Sequence, residues 1–447
     1  MATKLWKHQQ AALDFIGNKP GALLAMGMGT GKSCVAIHAL DSRAADTALI
    51  LCPKSVAAVW PDQFAQHSSR PWRVVTLAKG TDAQRVKDLK QAMLVPRRPV
   101  AVVANYDILP SKRGLGLELL KIKWDGLVLD ECHKLKSAAG KQSRAAARIK
   151  APFRLGLTGT PMPHSPLDIY AQFRAIDKRI YGTSHSIFKR TYAVMGGFQG
   201  HKVTGYQNLD ELHRLMYMAT YRCKTEDVLD LPPTMDVTRT FDLGRETRKA
   251  YDAMKLMFIA EWEAGIVTAD NALVKLLRLA QMTSGFATAD DGTHLHIGNE
   301  KREALGEVLD ALMGEREPIV VFARFRHDLA VIREEAAARG WKDGEKSGSV
   351  DDMERWRVGD VNCLATQLQA GGVGIDLTRA RYCIYYGHDF NMGNYDQSRA
   401  RVHRPGQTRP VTYVHLVAER SIDVDILKAL EERSDMVESV MSGLWRA

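Results

Sequence analysis

The sequence predicts an α/β protein with two parallel sheets in tandem and a helical insertion near the junction between them. Three observations carry this. Continuous apolar runs recur between helix-like stretches in the first half of the chain, the same rhythm restarts after residue 317, and the segment between has helical periodicity without a strand signal. At 447 residues the chain is also too long for one ordinary core, so two or three domains are expected.

In chain order, ALILC (48–52), PVAVVA (99–104), GLVLD (126–130) and RLGLTG (154–159) are apolar throughout rather than alternating, as suits strands buried on both faces. Another apolar run leads into AMGMGTGKS (25–33). LPPT (231–234) reads as a linker. From Gly244 to Gly285, RETRKAYDAMKLMFIAEWEAG and DNALVKLLRLAQMTSG read as two amphipathic helices. PIVVFA (318–323), VNCLATQ (361–367), YCIYY (382–386) and VTYVHLV (411–417) then supply a second sheet, and SIDVDILKALEERSDMVESVMSGL a closing helix packed back on it. The expected division is 1–230 for the first lobe, 231–300 for linker and helical elaboration, and 301–447 for the second lobe.

Composition narrows the function classes. The formal net charge of +10 favours an anionic partner. Six cysteines (Cys34, Cys52, Cys132, Cys223, Cys363, Cys383) stand singly, never at CxxC spacing, which favours reduced thiols over a zinc module or disulfide framework. No apolar stretch approaches the roughly 20 residues that span a bilayer, and MATKLWKHQQ lacks a signal-peptide core. A cytoplasmic monomer without a membrane partner is expected, in the host cytoplasm if the protein is viral.

Three motifs carry chemistry. In AMGMGTGKS the glycines let backbone N–H groups wrap a phosphate at a helix N-terminus. Lys32 adds a point charge on the terminal phosphates, and the Ser33 hydroxyl can ligate Mg2+. Gly27, Gly29, Thr30 and Gly31 complete this candidate ATP loop, although Met26 stands where the strict GxxxxGK[ST] pattern has glycine. GLVLDECHKLKS (126–137) is an apolar strand ending in adjacent acids. Nucleotide hydrolysis needs one carboxylate for Mg2+ and one to orient water, so Asp130 is assigned to the metal and Glu131 to the water. LTGTP (157–161) is by itself an ordinary turn, flanked by the hydroxyls of Thr158 and Thr160.

From Cys132 to Leu167 there is no acid, yet Lys134, Lys136, Lys141, Arg144, Arg148, Lys150 and Arg154 fall there. Such a span suits a phosphate backbone, contacted with little sequence preference and strong salt dependence. A solvated basic helix face is the alternative for any single member, so the patch is the unit of the prediction. No finger or RNP-like motif favours base readout, and the aromatic content of 7% does not favour stacking on single strands.

The ordered motifs resemble the Swi/Snf-type ATP-dependent DNA translocases of helicase superfamily two, over nearly the whole chain. LWKHQQAALDFI (5–16) is similar to the opening Q-motif, ILCPKSVAAVW (50–60) to the CPxSxxxxW segment, and DECH and LTGTPMPHSPLDIY to the second and third motifs. QAGGVGIDLT (369–378) is similar to AGGxGxNLT, and QSRARVHRPGQ (397–407) to QxxxRxHRxGQ. Asp376 stands where asparagine is usual, Ala400 where glycine or aspartate is usual, and Cys132 where alanine is usual.

This resemblance implies two RecA-like lobes with ATP and Mg2+ between them. It implies that Gln9 reads the adenine, that Gly374 and Asp376 belong to the ATP site, that Thr158 and Thr160 couple the lobes, and that Lys54 and Ser55 lie near a DNA backbone. If 397–404 is helical, Gln397, Arg401 and Arg404 share one face, and Arg399 and His403 another, with Pro405 ending the helix after Arg404. The family match then makes Gln397, Arg401 and Arg404 catalytic, Arg404 as the arginine finger, and leaves Arg399 structural or backbone-binding. The implied function is ATP-driven translocation on double-stranded or branched DNA, remodelling forks, junctions or bound proteins, by a bare motor of prokaryotic or viral type. The alternatives are an RNA- or RNA-polymerase-directed remodeller and a nucleotide-gated DNA clamp without productive hydrolysis.

Overall fold

The computed structural model describes residues 3–54, 56–94, 98–111, 113–162, 165–196, 202–263, 269–289, 291–315, 317–369, 375–388 and 392–431. They form two compact units, one of the described residues up to Asp230 and one of those from Leu231 on.

The first unit contains β1 (Gly21–Met26), β2 (Thr47–Cys52), β3 (Arg73–Thr76), β4 (Val100–Asn105), β5 (Gly126–Asp130), β6 (Phe153–Thr158), β7 (Ala193–Gly196), β8 (Lys202–Tyr206) and β9 (Thr220–Cys223). Seven of these make one parallel sheet in the order β3-β4-β2-β5-β6-β1-β9, and β7 and β8 form a separate antiparallel ribbon. Every residue of β1, β4 and β5 is buried, as expected where helices cover both faces. Trp124, Leu127, Leu129, Phe173 and Tyr170 are part of one core on this sheet. Pairing of Ala25 with Thr158 and of Asp130 with Leu157 levels the carboxyl ends of β1, β5 and β6. The chain therefore leaves all three strands at one edge, where open α/β sheets place their ligands.

The second unit contains β10 (Thr234–Phe241), β11 (Phe286–Thr288), β12 (His294–His296), β13 (Ile319–Ala323), β14 (Asp343–Lys346), β15 (Cys363–Gln367), β16 (Tyr382–Tyr385) and β17 (Val411–Ala418). Its main sheet, β10-β17-β16-β13-β15-β14, is again parallel. The two insertion helices run Arg245–Glu263 and Ala269–Thr283. Two parallel α/β sheets with a helical insertion are thus the observed architecture.

Two details differ from the sequence reading. Residues 234–241, within the segment given to linker and elaboration, form edge strand β10, paired with β17 along its whole length. Its residues are exposed almost throughout, so the chain there lacks the apolar run that marks the inner strands. The closing helix, described to residue 431, buries Ile422, Ile426 and Leu430 in one cluster with Tyr251, Leu279 and Met282 of the insertion and Ala418 of β17, and so packs on the insertion as well as on the sheet. The remainder of that expected helix lies outside the described residues. No helix among the described residues is long and apolar enough to cross a membrane.

Candidate functional site

The loop after β1 is held by its own atoms. Gly29 and Gly31 sit at φ 75° and 85°, a region that side-chain-bearing residues rarely adopt. Lys32 Nζ donates to Met26 O at 2.9 Å and Gly27 O at 3.0 Å, and the buried Thr30 hydroxyl donates to Gly27 O at 2.7 Å. Met26, in the place of the strict-pattern glycine, is the last, fully buried residue of β1. Lys32 and Ser33 open the helix Lys32–Ser42, where free N–H groups and the helix dipole favour an anion.

Segments far away in sequence brace this loop. Gly27 N donates to Cys223 O at 2.8 Å, and Thr225 Oγ1 donates to Met28 O at 2.9 Å. A Cβ on Gly27 would overlap Thr225 Oγ1 and lie 2.6 Å from Thr225 N. If the loop holds ATP as the sequence resemblance implies, Gly27→Ala is therefore expected to push it off Thr225 and weaken ATP binding by about tenfold, the equivalent of about 1.4 kcal/mol. Equilibrium titration with a fluorescent ATP analogue would measure this, and unchanged affinity would show that the loop tolerates the shift. Gln9 is engaged on the same loop. Its Nε2 donates to Thr30 O at 3.0 Å and its Oε1 accepts from Trp6 N at 3.0 Å, while His8 Nε2 contacts Thr30 O at 2.9 Å. These bonds use one of the two Nε2 hydrogens and one of the two Oε1 lone pairs.

Asp130 ends β5 and Glu131 follows it, both buried. Burial, reinforced by neighbouring Glu131, pushes the Asp130 carboxyl up to about 7 against the pull of Lys32 and of Trp60, whose Nε1 donates to Asp130 Oδ2 at 3.3 Å. For Glu131 burial also favours the neutral form, but His133, Lys32 and Lys134 outweigh it and hold the carboxyl below its usual range. Burial lowers the Lys32 ammonium, and the two acids oppose that effect. The three groups thus interact as one charge cluster. Glu131 occupies the left-handed region at φ 52°, ψ 50°, a strained conformation for a residue with a side chain.

From Glu131 a polar path leads to the third motif. His133 Nδ1 lies 3.2 Å from Glu131 Oε2 and 3.0 Å from Thr158 Oγ1, with hydrogen-bond geometry to the threonine; the carboxylate contact is electrostatic. Thr158 Oγ1 also accepts from Thr160 N at 3.1 Å. Tyr106 OH donates to Asp130 O at 2.8 Å from the end of β4. Sequence reasoning gave no role to Trp60, Tyr106, His133 or Thr225. Only Trp60 and His133 carry a signal, as members of quoted motifs.

In the second unit, the helix Met392–Val402 contains Gln397, Arg399 and Arg401. It stops two residues before Arg404, which corrects the expectation of a helical Arg404, because Pro405 disfavours helical backbone at the residue before it. Arg399 pairs with Asp236 of β10, donates to Tyr395 OH at 3.0 Å and lies 3.8 Å from the Tyr413 ring centroid. His403 Nε2 contacts Pro232 O at 2.6 Å. These two residues face the β10 side in a structural role.

Arg401 is buried. Burial pulls its guanidinium down to about 10, still charged at neutral pH, and its Nη1 has no hydrogen-bond partner among the described residues. Arg404 Nε is likewise unsatisfied among them. Backbone bonds fix the segment: Leu377 N donates to Arg401 O at 3.1 Å, and Gln407 Nε2 donates to Thr378 O and Ala380 O at 3.0 and 2.9 Å. Asp376 Oδ1 accepts from Thr378 N and Thr378 Oγ1 at 2.9 and 2.7 Å, which makes it the cap of a turn. Gly374 lies outside the described residues.

Of the expected nucleic-acid contacts, Lys54, Lys134, Lys141, Arg144, Arg148 and Lys150 are exposed, and Lys136 is half-buried. Arg154 instead turns inward and donates to Ile149 O, Ala151 O and Ala175 O, so it is a structural member of the span. Ser55 lies outside the described residues.

Comparison with known proteins shows the family of the chain. A family profile described as SNF2-related domain matches residues 6–285, and one described as helicase conserved C-terminal domain matches residues 300–406. Chromodomain-helicase-DNA-binding protein 1-like of Danio rerio is 25% identical over 446 residues, covering 95% of this chain and 42% of the relative. An uncharacterized ATP-dependent helicase of Mycoplasma genitalium is 24% identical over 467 residues, covering 98% of this chain and 42% of the relative. The chain therefore spans less than half the length of these relatives. Among solved structures, the chain is similar to the Sulfolobus solfataricus SWI2/SNF2 ATPase core in complex with dsDNA, at 21% identity and TM-score 0.45, covering 99% of this chain and 94% of that one. The SNF2-related profile alone accounts for more than half of the chain, and the protein belongs to the SNF2-related family.

Proposed function

We propose that the protein is a DNA-dependent ATPase that uses ATP hydrolysis to move along duplex or branched DNA and remodel forks, junctions or bound proteins. The observation that carries this reading is the charge cluster of Lys32, Asp130 and Glu131 at the carboxyl edge of a parallel sheet. A half-buried lysine electrostatically coupled to two buried carboxylates has little structural value, since apolar side chains would fill the space at lower cost. As a phosphate and metal site the same groups are complementary to the substrate.

Within this reading the loop N–H groups and Lys32 bind the phosphates, and Glu131 orients and polarises the attacking water. Ser33 and Asp130 are hard oxygen donors suited to Mg2+, and the burial that drives Asp130 up to about 7 is a cost that a divalent cation offsets. When bound, Mg2+ supplies charge neutralisation at the terminal phosphates. Arg401 and Arg404 stabilise charge spreading over the γ-phosphoryl oxygens, and Gln397 lies on the same helix as Arg401. The exposed basic residues of 134–150, with Lys54, hold the DNA backbone.

Thr158 and Thr160 are assigned to coupling, because the Glu131–His133–Thr158 path joins the water-orienting acid to the loop after β6. Thr158→Val removes one buried hydroxyl from that path. It is expected to leave DNA-free turnover within about threefold and cut DNA stimulation by roughly tenfold, about the cost of losing its hydrogen bonds to His133 and Thr160. Equal losses with and without DNA would assign Thr158 to chemistry alone. Movement itself is tested by displacement of a triplex-forming strand from duplex DNA. ATP-dependent displacement is expected, and ATP turnover without displacement would reduce the reading to an ATPase that does not travel. Greater stimulation by RNA than by DNA would favour an RNA-directed remodeller.

A further inference from the structure

Residues 178–209 contain no aspartate or glutamate but hold Lys178, Arg179, Lys189, Arg190 and Lys202. Arg179 is neutralised locally, with its Nε 2.9 Å from Asp177 Oδ1, and no ion pair to Lys178, Lys189 or Arg190 is found among the described residues. This acid-free span carries the helix His185–Tyr192 and the β7–β8 ribbon. None of it was assigned a role from the sequence motifs.

The base of the ribbon is firmly rooted. Phe188 and Tyr192 are buried, with the Phe188 ring centroid 4.9 Å from those of Tyr170 and Tyr192 and 5.2 Å from that of Tyr181. Gln207 N donates to Tyr192 O at 3.1 Å, and Asn208 Nδ2 donates to Thr191 O at 2.8 Å. Beyond this root the strands are poorly covered. Val194 and Met195 are 41% and 37% exposed, and a bulge between them increases the local twist. An isolated two-stranded ribbon gains little stability from its own pairing, so a rooted ribbon with exposed apolar side chains favours a partner surface.

Charge and position identify that partner. Arg174 Nη2 donates to Ala138 O, within the basic 134–150 span, at 2.9 Å, and the same guanidinium lies 5.6 Å from the Tyr170 ring centroid. Tyr170 in turn packs on His185 and Phe188 at the ribbon root. The two acid-free spans are therefore joined through one packed connection. A two-stranded ribbon is also an element that duplex grooves admit.

We propose that the β7–β8 ribbon is a second duplex-binding element, lying against a groove of the DNA whose backbone the 134–150 span holds. The inference rests on the DNA-directed function proposed above. Cationic residues at the root meet phosphates, while Val194 and Met195 contact the groove wall without base-specific readout.

The test uses the full chain with Arg190→Glu, and a second variant with Met195→Glu and Thr204→Glu, which places acids at exposed ribbon positions. Binding to a fluorescent 20-base-pair duplex is measured by anisotropy at several salt concentrations, and thermal unfolding verifies that each variant is folded. The double variant is expected to bind about tenfold more weakly, and Arg190→Glu to flatten the salt dependence by about one unit of slope. If the parent binds duplex and both folded variants match it in affinity and slope, the ribbon proposal is overturned and the functional reading stands. A parent protein that fails to bind duplex at low salt overturns both.

Discussion

Exchanging Glu131 for glutamine is expected to lower ATP turnover by roughly three orders of magnitude, within the range for loss of a positioned general base, while ATP and DNA binding persist. Glutamine keeps the shape and the left-handed backbone at φ 52°. It cannot supply the negative charge that His133, Lys32 and Lys134 maintain at this buried position. Phosphate release measures the first effect, and titrations with ATP and duplex measure the second. Turnover within tenfold of the parent would assign water orientation elsewhere. Turnover absent from the parent itself would favour a nucleotide-gated clamp.

Arg404→Ala is expected to cost about a thousandfold in turnover, the lower end for an arginine finger, with ATP affinity nearly unchanged. Arg404→Lys is expected to rescue little, because an ammonium lacks the planar donors that follow phosphoryl charge. The orphaned Arg404 Nε and the buried, unpaired Arg401 Nη1 are polar groups that an anion would satisfy. Arg399→Ala provides the internal control. It removes the Asp236 pair and the Tyr413 contact, so the expected loss is about 1–3 kcal/mol of stability, measured by chemical denaturation, with little loss of turnover per folded molecule. If Arg404→Ala hydrolysed ATP at the parent rate, the finger assignment would fail.

Much of the fold was legible because parallel strands covered on both faces have to be apolar at nearly every position, as β1, β4 and β5 are. Strand β10 was not, since an exposed edge strand such as TMDVTRTF lacks that signature and lies close to prolines that read as linker. The glycine-rich loop after β1 was legible because Gly27, Gly29, Gly31 and Lys32 fall within six residues. The Cys223 and Thr225 bonds that brace it were hidden, because the sequence separation to the loop is nearly 200 residues and no local pattern marks them. Arg404 shows the limit of helical phase alone. The i, i+4, i+7 spacing places it on a face with Gln397 and Arg401, but Pro405 acts on the backbone first and the helix stops at Val402.

The basic span was legible as a patch and not residue by residue. Arg154 belongs to it in sequence but caps three carbonyls in the structure, whereas Lys134, Lys141 and Arg144 remain exposed. Composition records the charge in a segment, and only packing determines which charges are free to meet a ligand.

The most direct test of the central claim is steady-state ATP turnover with and without blunt duplex DNA, repeated over a range of salt. The account predicts saturable stimulation of at least about tenfold at low salt, lost as salt rises because binding is to the backbone. Turnover that is the same at every duplex concentration would contradict it.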